Sequence, residues 1–490
     1  MESTRKVVLA ALAVRLALAP FFMHAGDVGT IYESSIMALK GQNVYDFVYQ
    51  QTLQMQHATG LPVFFEGYAY HPLLIYLFVP FYWLYTLIAG PSVVMIDGHY
   101  PALPVLIYPW TPVLLLFLKL PIFLADVGVV YLLARSDLRK AKLYAFCPYV
   151  IFISAIWGMF DAFVALFLLI SYLTFERNSF ASGITYGLSL VKLYTIVLLP
   201  LYVVRLFGRW RELATFLAGL ALTLLPVAYY MIVSPTSFWN VLVTFQGTRV
   251  MGGVNLYNFI WIVPDVRFDL DVSAVTNILL LVSLVLLLLR FGRKGPLLEA
   301  ILAFMFVYFL FGRVLNEQFL VSILPLMLLC RECDYRIWAA PFIFIFLRSP
   351  FYYFAVPILW ASPVFYNYYL AADEVWRGLQ AAGYLMIPIY AVGIAFSLLL
   401  LLNLQRILEA TPQGFKLSRI SGFIGGIVGF HSTFSKARVL SRRVRILLRE
   451  STEKQDTAKI KTTSLAAKTT LIAYGLAGHQ FTMISGFCKP

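Results

Sequence analysis

The chain has 490 residues, of which 61% are hydrophobic and 13% charged, and its formal net charge is +14 at pH 7. A mean hydropathy of +0.80 excludes a soluble globular protein, because a soluble fold of this length needs far more polar surface. Apolar runs of about 20 residues, enough to cross a bilayer as a helix, recur at 7–23, 105–134, 213–233, 274–289 and 381–402. The sequence therefore predicts an all-α, multi-spanning membrane protein.

The first apolar run, 7–23, follows Arg5 and Lys6 and has no convincing small-residue cleavage site, so we interpret it as a retained span. The stretch 24–104 that follows carries five acidic residues against one basic residue, Lys40. Since Lys and Arg concentrate in cytoplasmic loops, this stretch is predicted to be a long external loop. Its apolar segment 72–89 is predicted to be a juxtamembrane or re-entrant helix.

The same charge bias places the basic segments 135–142, 205–212 and 290–294 in the cytoplasm. This arrangement requires 183–206 to form two short, half-buried helices that turn at Lys192. It gives about twelve spans with both termini cytoplasmic. The remaining external segments are then 157–161, the turn at Lys192, 234–272, 313–318 and 361–379.

The end of the chain differs in composition. Residues 404–490 hold 14 Lys and Arg against 4 Asp and Glu. We predict a membrane domain at 1–403 followed by a basic cytoplasmic tail. Such a tail beside a last span favours contact with an anionic lipid surface over nucleic acid.

Two carboxylates are candidate catalytic groups, because ionisable residues close to a membrane are costly unless they serve a function. Asp27 comes just after the first span, where it could accept a proton from an attacking hydroxyl; the alternative is a solvated loop aspartate. Asp161 ends the segment Trp157-Gly-Met-Phe-Asp161, which is predicted to turn on the same side of the membrane. A helix cap is its alternative role.

Three cations are candidate phosphate ligands. Lys192 lies in an otherwise apolar run, where it either binds a lipid phosphate or extends to the membrane surface. Arg313 precedes Glu317 and Gln318 in a predicted external cluster, and a guanidinium can bind phosphate through two hydrogen bonds. Arg249 is the third candidate.

Other polar residues are assigned structural roles. Arg15, Lys119 and Asp126 lie inside predicted spans and are expected to find interior partners. Cys330 and Cys333 have CxxC spacing, but no second ligand pair accompanies them in the sequence, so a metal or redox site is not predicted. P-loop, dinucleotide-binding, nucleophile-elbow and zinc-protease motifs are absent, which argues against nucleotide-driven chemistry.

A series of short patterns over about 7–330 resembles the GT-C superfamily of membrane glycosyltransferases, in particular the GPI first-mannosyltransferase and its prokaryotic relatives. The patterns, in order, are Asp27 with Tyr32 and the turn 41–45; Tyr70-His71-Pro72; Lys119 to Asp126; Pro148 followed by Trp157 to Asp161; Lys192 to Tyr194 with Pro200; and Asn316 to Leu320 with Pro325.

The resemblance implies an enzyme that moves a hexose, mannose first, from a polyprenyl-phosphate donor to a glycan or glycolipid with inversion. Asp27 would be the base, with Asp161 facing the same site. The residues expected to bind substrate or phosphate are Lys192, Arg313, Glu317, Gln318, Arg249, His71 and Tyr70. The site would lie on the external face of a prokaryotic, for example archaeal, cell membrane.

The chain departs from the family at Asp27, because the GPI enzyme has paired acids in its first loop and here the nearest carboxylate is Glu33. No divalent metal or other cofactor is therefore predicted. A transporter or flippase of lipid-linked saccharides is the alternative function, although it should place charges near mid-membrane in several spans. A glycan polymerase or ligase would call for a larger late external loop than 234–272.

Overall fold

The computed structural model describes residues 2–59, 68–90, 111–244, 252–254, 272–348 and 363–411. Of these residues, 83% are helical and 1% are in strands, which confirms the all-α prediction. The described residues all fall within one compact unit. The predicted basic tail lies outside the described residues from 412 onward, while the last described helix continues past the predicted boundary at 404.

The first part of the chain forms α1 (Glu2–Leu18), α2 (Ala25–Leu39), α3 (Val44–Thr59), α4 (Leu73–Ala89), α5 (Thr111–Ser136), α6 (Leu138–Ala145), α7 (Pro148–Ile151), α8 (Asp161–Thr174) and α9 (Ser179–Ser189). The later part forms α10 (Leu199–Leu206), α11 (Trp210–Thr223), α12 (Leu225–Val233), α13 (Pro235–Trp239), α14 (Val272–Phe291), α15 (Leu297–Phe311), α16 (Leu324–Leu329), α17 (Ala339–Arg348), α18 (Pro363–Ala381) and α19 (Met386–Ala410).

Short elements connect these helices. The 3-10 helices are Ala19–Phe21, Leu193–Leu198, Phe319–Ser322 and Tyr335–Trp338, and the π-helices are Phe152–Trp157 and Asn240–Thr244. The strands β1 (Gly252–Gly253) and β2 (Val314–Leu315) pair in parallel, with Gly252 opposite Val314. This pairing fixes the turn that carries Arg313.

Three described helices are long and apolar enough to cross a membrane: Pro112–Ser136 in α5, Ala274–Phe291 in α14 and Met386–Ala410, which is α19. A fourth span results if α11 and α12, which are bent by 49° at their junction, act as one. Shorter apolar helices, among them α4, α8 and α15, accompany them. The membrane assignment is thus supported, and the count of twelve spans stays a prediction.

The segment after the first apolar helix is more helical than the sequence predicted. The predicted helix at 72–89 is present as α4, but residues expected to form a loop also form α2 and α3. Local hydrogen bonds begin both helices: the His24 side chain accepts from the backbone N–H of Asp27, and the Asn43 side chain accepts from that of Tyr45. These caps satisfy donors that a helix start leaves unpaired.

The predicted pair of short helices around Lys192 is also present. The chain leaves α9 at Ser189, turns, and resumes at Leu193 as a 3-10 helix that leads into α10. On its other side α9 packs closely on α11, since a Cβ atom at Gly183 would overlap the carbonyl oxygen of Phe216. Glycine at this position lets two helix backbones approach directly, as is common in membrane proteins.

The buried charges of α1 and α5 pair with each other. Arg15 Nε donates to Asp126 Oδ2 at 2.6 Å, and the Tyr144 hydroxyl donates to Asp126 Oδ1 at 2.9 Å. Both charged side chains are fully buried. This geometry confirms the expectation that Arg15 and Asp126 find interior partners.

Candidate active site

Asp27 lies in the first turn of α2, with 17% of its side chain exposed. Two donors from distant parts of the chain hold its carboxylate. The Trp157 indole N–H donates to Oδ2 at 2.7 Å, and the Tyr70 hydroxyl donates to Oδ1 at 3.1 Å. The carboxylate is therefore oriented by groups from two other segments, yet it keeps access to solvent.

His24 completes this arrangement. Its Nδ1 atom lies 2.9 Å from Asp27 Oδ2 and 3.1 Å from the Asp27 backbone nitrogen. The neutral ring with its proton on Nε2 accepts from the backbone N–H, whereas the protonated ring donates to the carboxylate. The ring also stacks on Trp157 at a centroid distance of 5.0 Å, and the His24 backbone N–H donates to the Trp157 carbonyl at 2.9 Å.

These contacts set the ionisation of Asp27. Burial by itself would raise the pKa of the carboxyl, but the charge of His24 and the hydrogen bonds from His24 and Trp157 outweigh burial. The positive charge of Lys192 acts in the same direction. The net pKa of Asp27 lies well below its usual value, so the group is a carboxylate throughout the physiological range.

Lys119 of α5 joins the two segments that meet at Asp27. Its ammonium donates to the carbonyls of Ala19 and Phe22, which precede α2, and to those of Ala155 and Ile156 in the π-helix that ends at Trp157. A cation at the carbonyl ends of helices is favourable because those groups lack partners within the helix. Lys119 is thus a positioning residue for Asp27.

The π-helix ends at Gly158, which adopts φ +87°. A Cβ atom there would lie 2.8 Å from Cε of Lys119, so glycine is required both by the backbone conformation and by the space that the lysine occupies. This accounts for the glycine in Trp157-Gly-Met-Phe-Asp161. π-helical turns are rare and often occur at functional sites.

Asp161 and Lys192 form a buried ion pair. Lys192 Nζ lies 2.7 Å from Asp161 Oδ2, and the Tyr194 hydroxyl lies 3.4 Å from Oδ1. The ammonium also sits between the rings of Phe160 and Phe319, at 4.8 Å and 5.0 Å from their centroids. Lys192 is therefore held by a carboxylate and by two aromatic faces, which stabilise a cation.

The ion pair and Asp27 belong to one site. Phe160, next to Asp161, packs edge-on against Tyr70 with a centroid distance of 4.9 Å, and Tyr70 donates to Asp27. The charge of Lys192 is close enough to affect the ionisation of Asp27. The fold thus brings together four residues that the sequence predicted for one site: Asp27, Tyr70, Asp161 and Lys192.

The turn after α15 lies on another side of the ion pair of Asp161 and Lys192. The Tyr149 hydroxyl donates to the Glu317 carbonyl at 2.5 Å, and Glu317 Oε1 accepts from Arg348 at 2.7 Å. Gln318 is buried, and its Oε1 atom has no hydrogen-bond partner among the described residues. This turn reaches the ion pair because Phe319 contacts Lys192 and the Ser322 hydroxyl bonds that of Tyr194.

The remaining candidates are placed as follows. Arg313 lies in the same turn and is half-buried, beside the paired strands β1 and β2. Arg249 lies outside the described residues. His71 is buried, and its Nδ1 accepts from the Leu73 N–H at 3.2 Å, which places the proton of the neutral ring on Nε2. Burial lowers the pKa of His71 to about 4.

Four residues of the site were not predicted from the sequence to belong to it: His24, Lys119, Trp157 and Tyr194. Lys119 was expected only to find interior partners, and the buried carbonyls that it binds confirm this. His24 carries a usable signal, since it stands three residues before Asp27 at the start of a helix, which is the spacing of a cap. Trp157 and Tyr194 stand in motifs that were noted, but their contacts with the carboxylates depend on the tertiary fold. Comparison with protein-family models and with curated proteins gives no match to this chain.

Proposed function

We propose that the chain is a GT-C-type membrane glycosyltransferase of about twelve spans, with a long first external segment. It transfers a hexose, most simply mannose, from a polyprenyl-phosphate donor to a glycan or glycolipid at the external face of a prokaryotic cell membrane. The observation that carries the proposal is the partly exposed carboxylate of Asp27, which accepts from Tyr70 and Trp157 and contacts His24, beside the buried pair of Asp161 and Lys192.

Asp27 acts as the base in this proposal. A carboxylate has about four lone-pair positions, and among the described residues Oδ1 accepts only the Tyr70 hydrogen bond. An acceptor hydroxyl can therefore bind Oδ1 while Trp157 and His24 hold Oδ2. The hydroxyl oxygen forms the new bond to the anomeric carbon as the bond to the lipid phosphate breaks, and its proton passes to Asp27.

The leaving phosphate needs positive charge. Lys192 is already bound to Asp161, so it contributes its field rather than an uncommitted ammonium. Arg313 is the proposed direct ligand of the phosphate. It lies in the turn after α15, and Phe319, which follows this turn, contacts Lys192. Gln318, with a buried Oε1 that lacks a partner in the described part of the chain, is proposed to accept a sugar hydroxyl. His71, with its buried Nε2–H, is proposed to donate one.

A transporter or flippase of lipid-linked saccharides is the second candidate. The fully buried pair of Arg15 and Asp126 favours it, because paired charges between apolar helices are used in membrane transport. Arg15 and Asp126 nevertheless also bond backbone and Tyr144 partners, as expected for a static structural pair. We therefore prefer the enzyme.

Reconstitution in liposomes distinguishes the two. The purified chain is given radiolabelled polyprenyl-phosphate-mannose and a membrane extract as acceptor, and sugar transfer and donor movement are measured separately. We expect Asp27→Asn to lower transfer by about 100-fold or more, as for loss of a general base. Asp46→Asn, in the same external segment and bonded to Ser234, is the matched control and should retain activity. Donor movement without transfer, equal in wild type and Asp27→Asn, would refute the enzyme.

A further inference from the structure

Cys330 and Cys333 lie just beyond α16, and neither is in a disulfide. Cys330 is buried and Cys333 half-buried. From the sequence this CxxC pair lacks the second pair of ligands that a zinc site needs. The fold supplies that second pair.

Glu299 and Glu332 bring their carboxylates to the thiols. Glu299 is in the first turn of α15, and Glu332 stands between the two cysteines. The ligand atoms of Glu299, Cys330 and Glu332 all lie within 4.8 Å of one another. Cys330 Sγ contacts Glu332 Oε2 at 3.4 Å, and the Cys333 thiol is hydrogen-bonded with Cys330. One sulfur and two carboxylate oxygens thus converge from α15 and from the segment after α16, and a second thiol, that of Cys333, lies beside Cys330.

We propose that Glu299, Cys330, Glu332 and Cys333 form a binding site for a divalent zinc ion. Zinc binds thiolate at about 2.3 Å and carboxylate at about 2.0 Å, so tetrahedral ligand atoms lie roughly 3.3–3.8 Å apart. Glu299, Cys330 and Glu332, whose ligand atoms lie within 4.8 Å of one another, therefore need only a small inward movement of side chains, and Cys333 joins them from beside Cys330. Four protein ligands leave no open position, which is typical of a structural zinc site.

The surrounding charge fits such a site. Two thiolates and two carboxylates exceed the charge of one zinc ion, so a nearby cation is favourable. Arg205, at the end of α10, interacts electrostatically with Glu176 and, more weakly, with Glu299. Its Nε and Nη2 atoms are buried and have no hydrogen-bond partner among the residues that the structure describes. Its guanidinium can compensate the excess negative charge of the metal cluster.

The zinc site is separate from the site around Asp27. α15 has 15 residues and is therefore about 22 Å long. Glu299 is near its beginning, whereas Tyr308, near its end, stacks on Tyr194 of the candidate active site with a centroid distance of 5.9 Å. The metal would join α15 to the segment after α16 at the opposite end of that helix.

The test uses the full-length chain purified in detergent without chelators and then dialysed. Metal content is measured by inductively coupled plasma mass spectrometry, and protein integrity by size-exclusion chromatography. Wild type should retain about one zinc ion per chain. Cys330→Ser, Cys333→Ser and the milder Glu332→Gln should each weaken zinc affinity by about 100-fold or more. Cys147→Ser, which removes a buried thiol outside the cluster, should retain the metal.

Cobalt substitution gives a readout that needs no variant. A thiolate-to-cobalt charge-transfer band in the wild-type chain, absent after alkylation of the thiols, would show sulfur ligation directly. Wild type that binds no zinc or cobalt overturns the proposal. Retention of the metal by both cysteine variants does so as well. An intact-mass measurement that finds Cys330 and Cys333 joined as a disulfide would replace the metal site with a redox pair.

Discussion

Trp157 donates its indole N–H to Oδ2 of Asp27 at 2.7 Å, across 130 positions of the chain. This hydrogen bond joins the start of α2 to the end of the π-helix Phe152–Trp157, and it helps to keep the Asp27 carboxylate ionised. The orientation of the proposed base therefore depends on a residue that does not itself react.

Trp157→Phe keeps the ring that stacks on His24 but removes the donor. A hydrogen bond to a charged group contributes about 1.5–3 kcal/mol, so we expect sugar transfer to fall roughly 10- to 100-fold. Because the lost bond stabilised the charged form, the pKa of Asp27 rises and the acidic limb of the pH–activity profile moves to higher pH. Trp239→Phe, at an exposed position in α13, should leave both the rate and the profile unchanged.

The buried pair of Arg15 and Asp126 can be tested as a double-mutant cycle. Arg15→Met or Asp126→Leu alone leaves an uncompensated buried charge, so each should lower the free energy of unfolding by about 3–5 kcal/mol. The double variant removes both charges and should recover most of this loss. Thermal unfolding in detergent measures the three variants. Additive losses in the double variant would show that the two residues do not act as a pair.

Replacing a glycine by alanine should have opposite effects at Gly183, in the contact between α9 and α11, and at Gly378, which lies outside that contact. Gly183→Ala makes a Cβ atom overlap the Phe216 carbonyl oxygen, so the helices must separate and the melting temperature should fall. Gly378 is exposed in α18, and a Cβ atom at this position would meet no described atom within 4 Å. Gly378→Ala should therefore raise stability slightly, by up to about 1 kcal/mol, because alanine favours a helix. Equal melting temperatures for the two variants would contradict the close approach.

The burial of His71 should make the free energy of unfolding fall at acidic pH. Its pKa falls from 6.5 to about 4 on burial, so the folded protein resists the proton that the unfolded chain accepts. Stability from this residue is fully present above pH 6.5 and is lost as the pH falls toward 4, by about 3 kcal/mol in total. His71→Asn keeps an acceptor for the Leu73 N–H and should remove this component. His57→Gln, at an exposed position, should unfold with the wild-type pH dependence.

The topology predicts the side on which cysteines react. His57→Cys in α3 and Arg139→Cys in α6 are both at exposed positions. With α3 in the first external segment and α6 in the cytoplasm, an impermeant thiol reagent should label the first variant in intact cells and the second only after permeabilisation. Wild type supplies the background from the native cysteines. Labelling of both from the same side would refute the assigned topology.

The sequence predicted the features that depend on local pattern. Hydropathy indicated a helical membrane protein, and the charge bias singled out 72–89 as a separate helix, which is α4. The interruption at Lys192 was expected because the charge bias of the basic segments required 183–206 to turn there. The pairing of Lys192 with Asp161 was not expected, since partners 31 positions apart are chosen by the fold.

The helices α2 and α3 were missed for a related reason. Hydropathy detects segments that are apolar on all sides, whereas 44–59 mixes apolar residues with polar ones such as Gln50, Gln51 and Gln54. Helices of mixed polarity are recognised by their caps, which are His24 for α2 and Asn43 for α3. Lys119 was expected to find interior partners, but its place beside Asp27 was not predicted, because its four partners are backbone carbonyls, which carry no residue-specific signal.

The charges of α1 and α5 also bear on how the chain enters the membrane. A lone Arg, Lys or Asp at the centre of a helix opposes insertion by the translocon by about 2.5–3.5 kcal/mol. α5 carries both Lys119 and Asp126, and α1, which covers most of the predicted first span 7–23, carries Arg15. With α1 as that span, neither helix is well suited to leave the translocon alone. In the folded chain Arg15 and Asp126 neutralise each other, and Lys119 binds carbonyls that follow α1. The two helices are therefore expected to partition into lipid as a preassembled pair during synthesis.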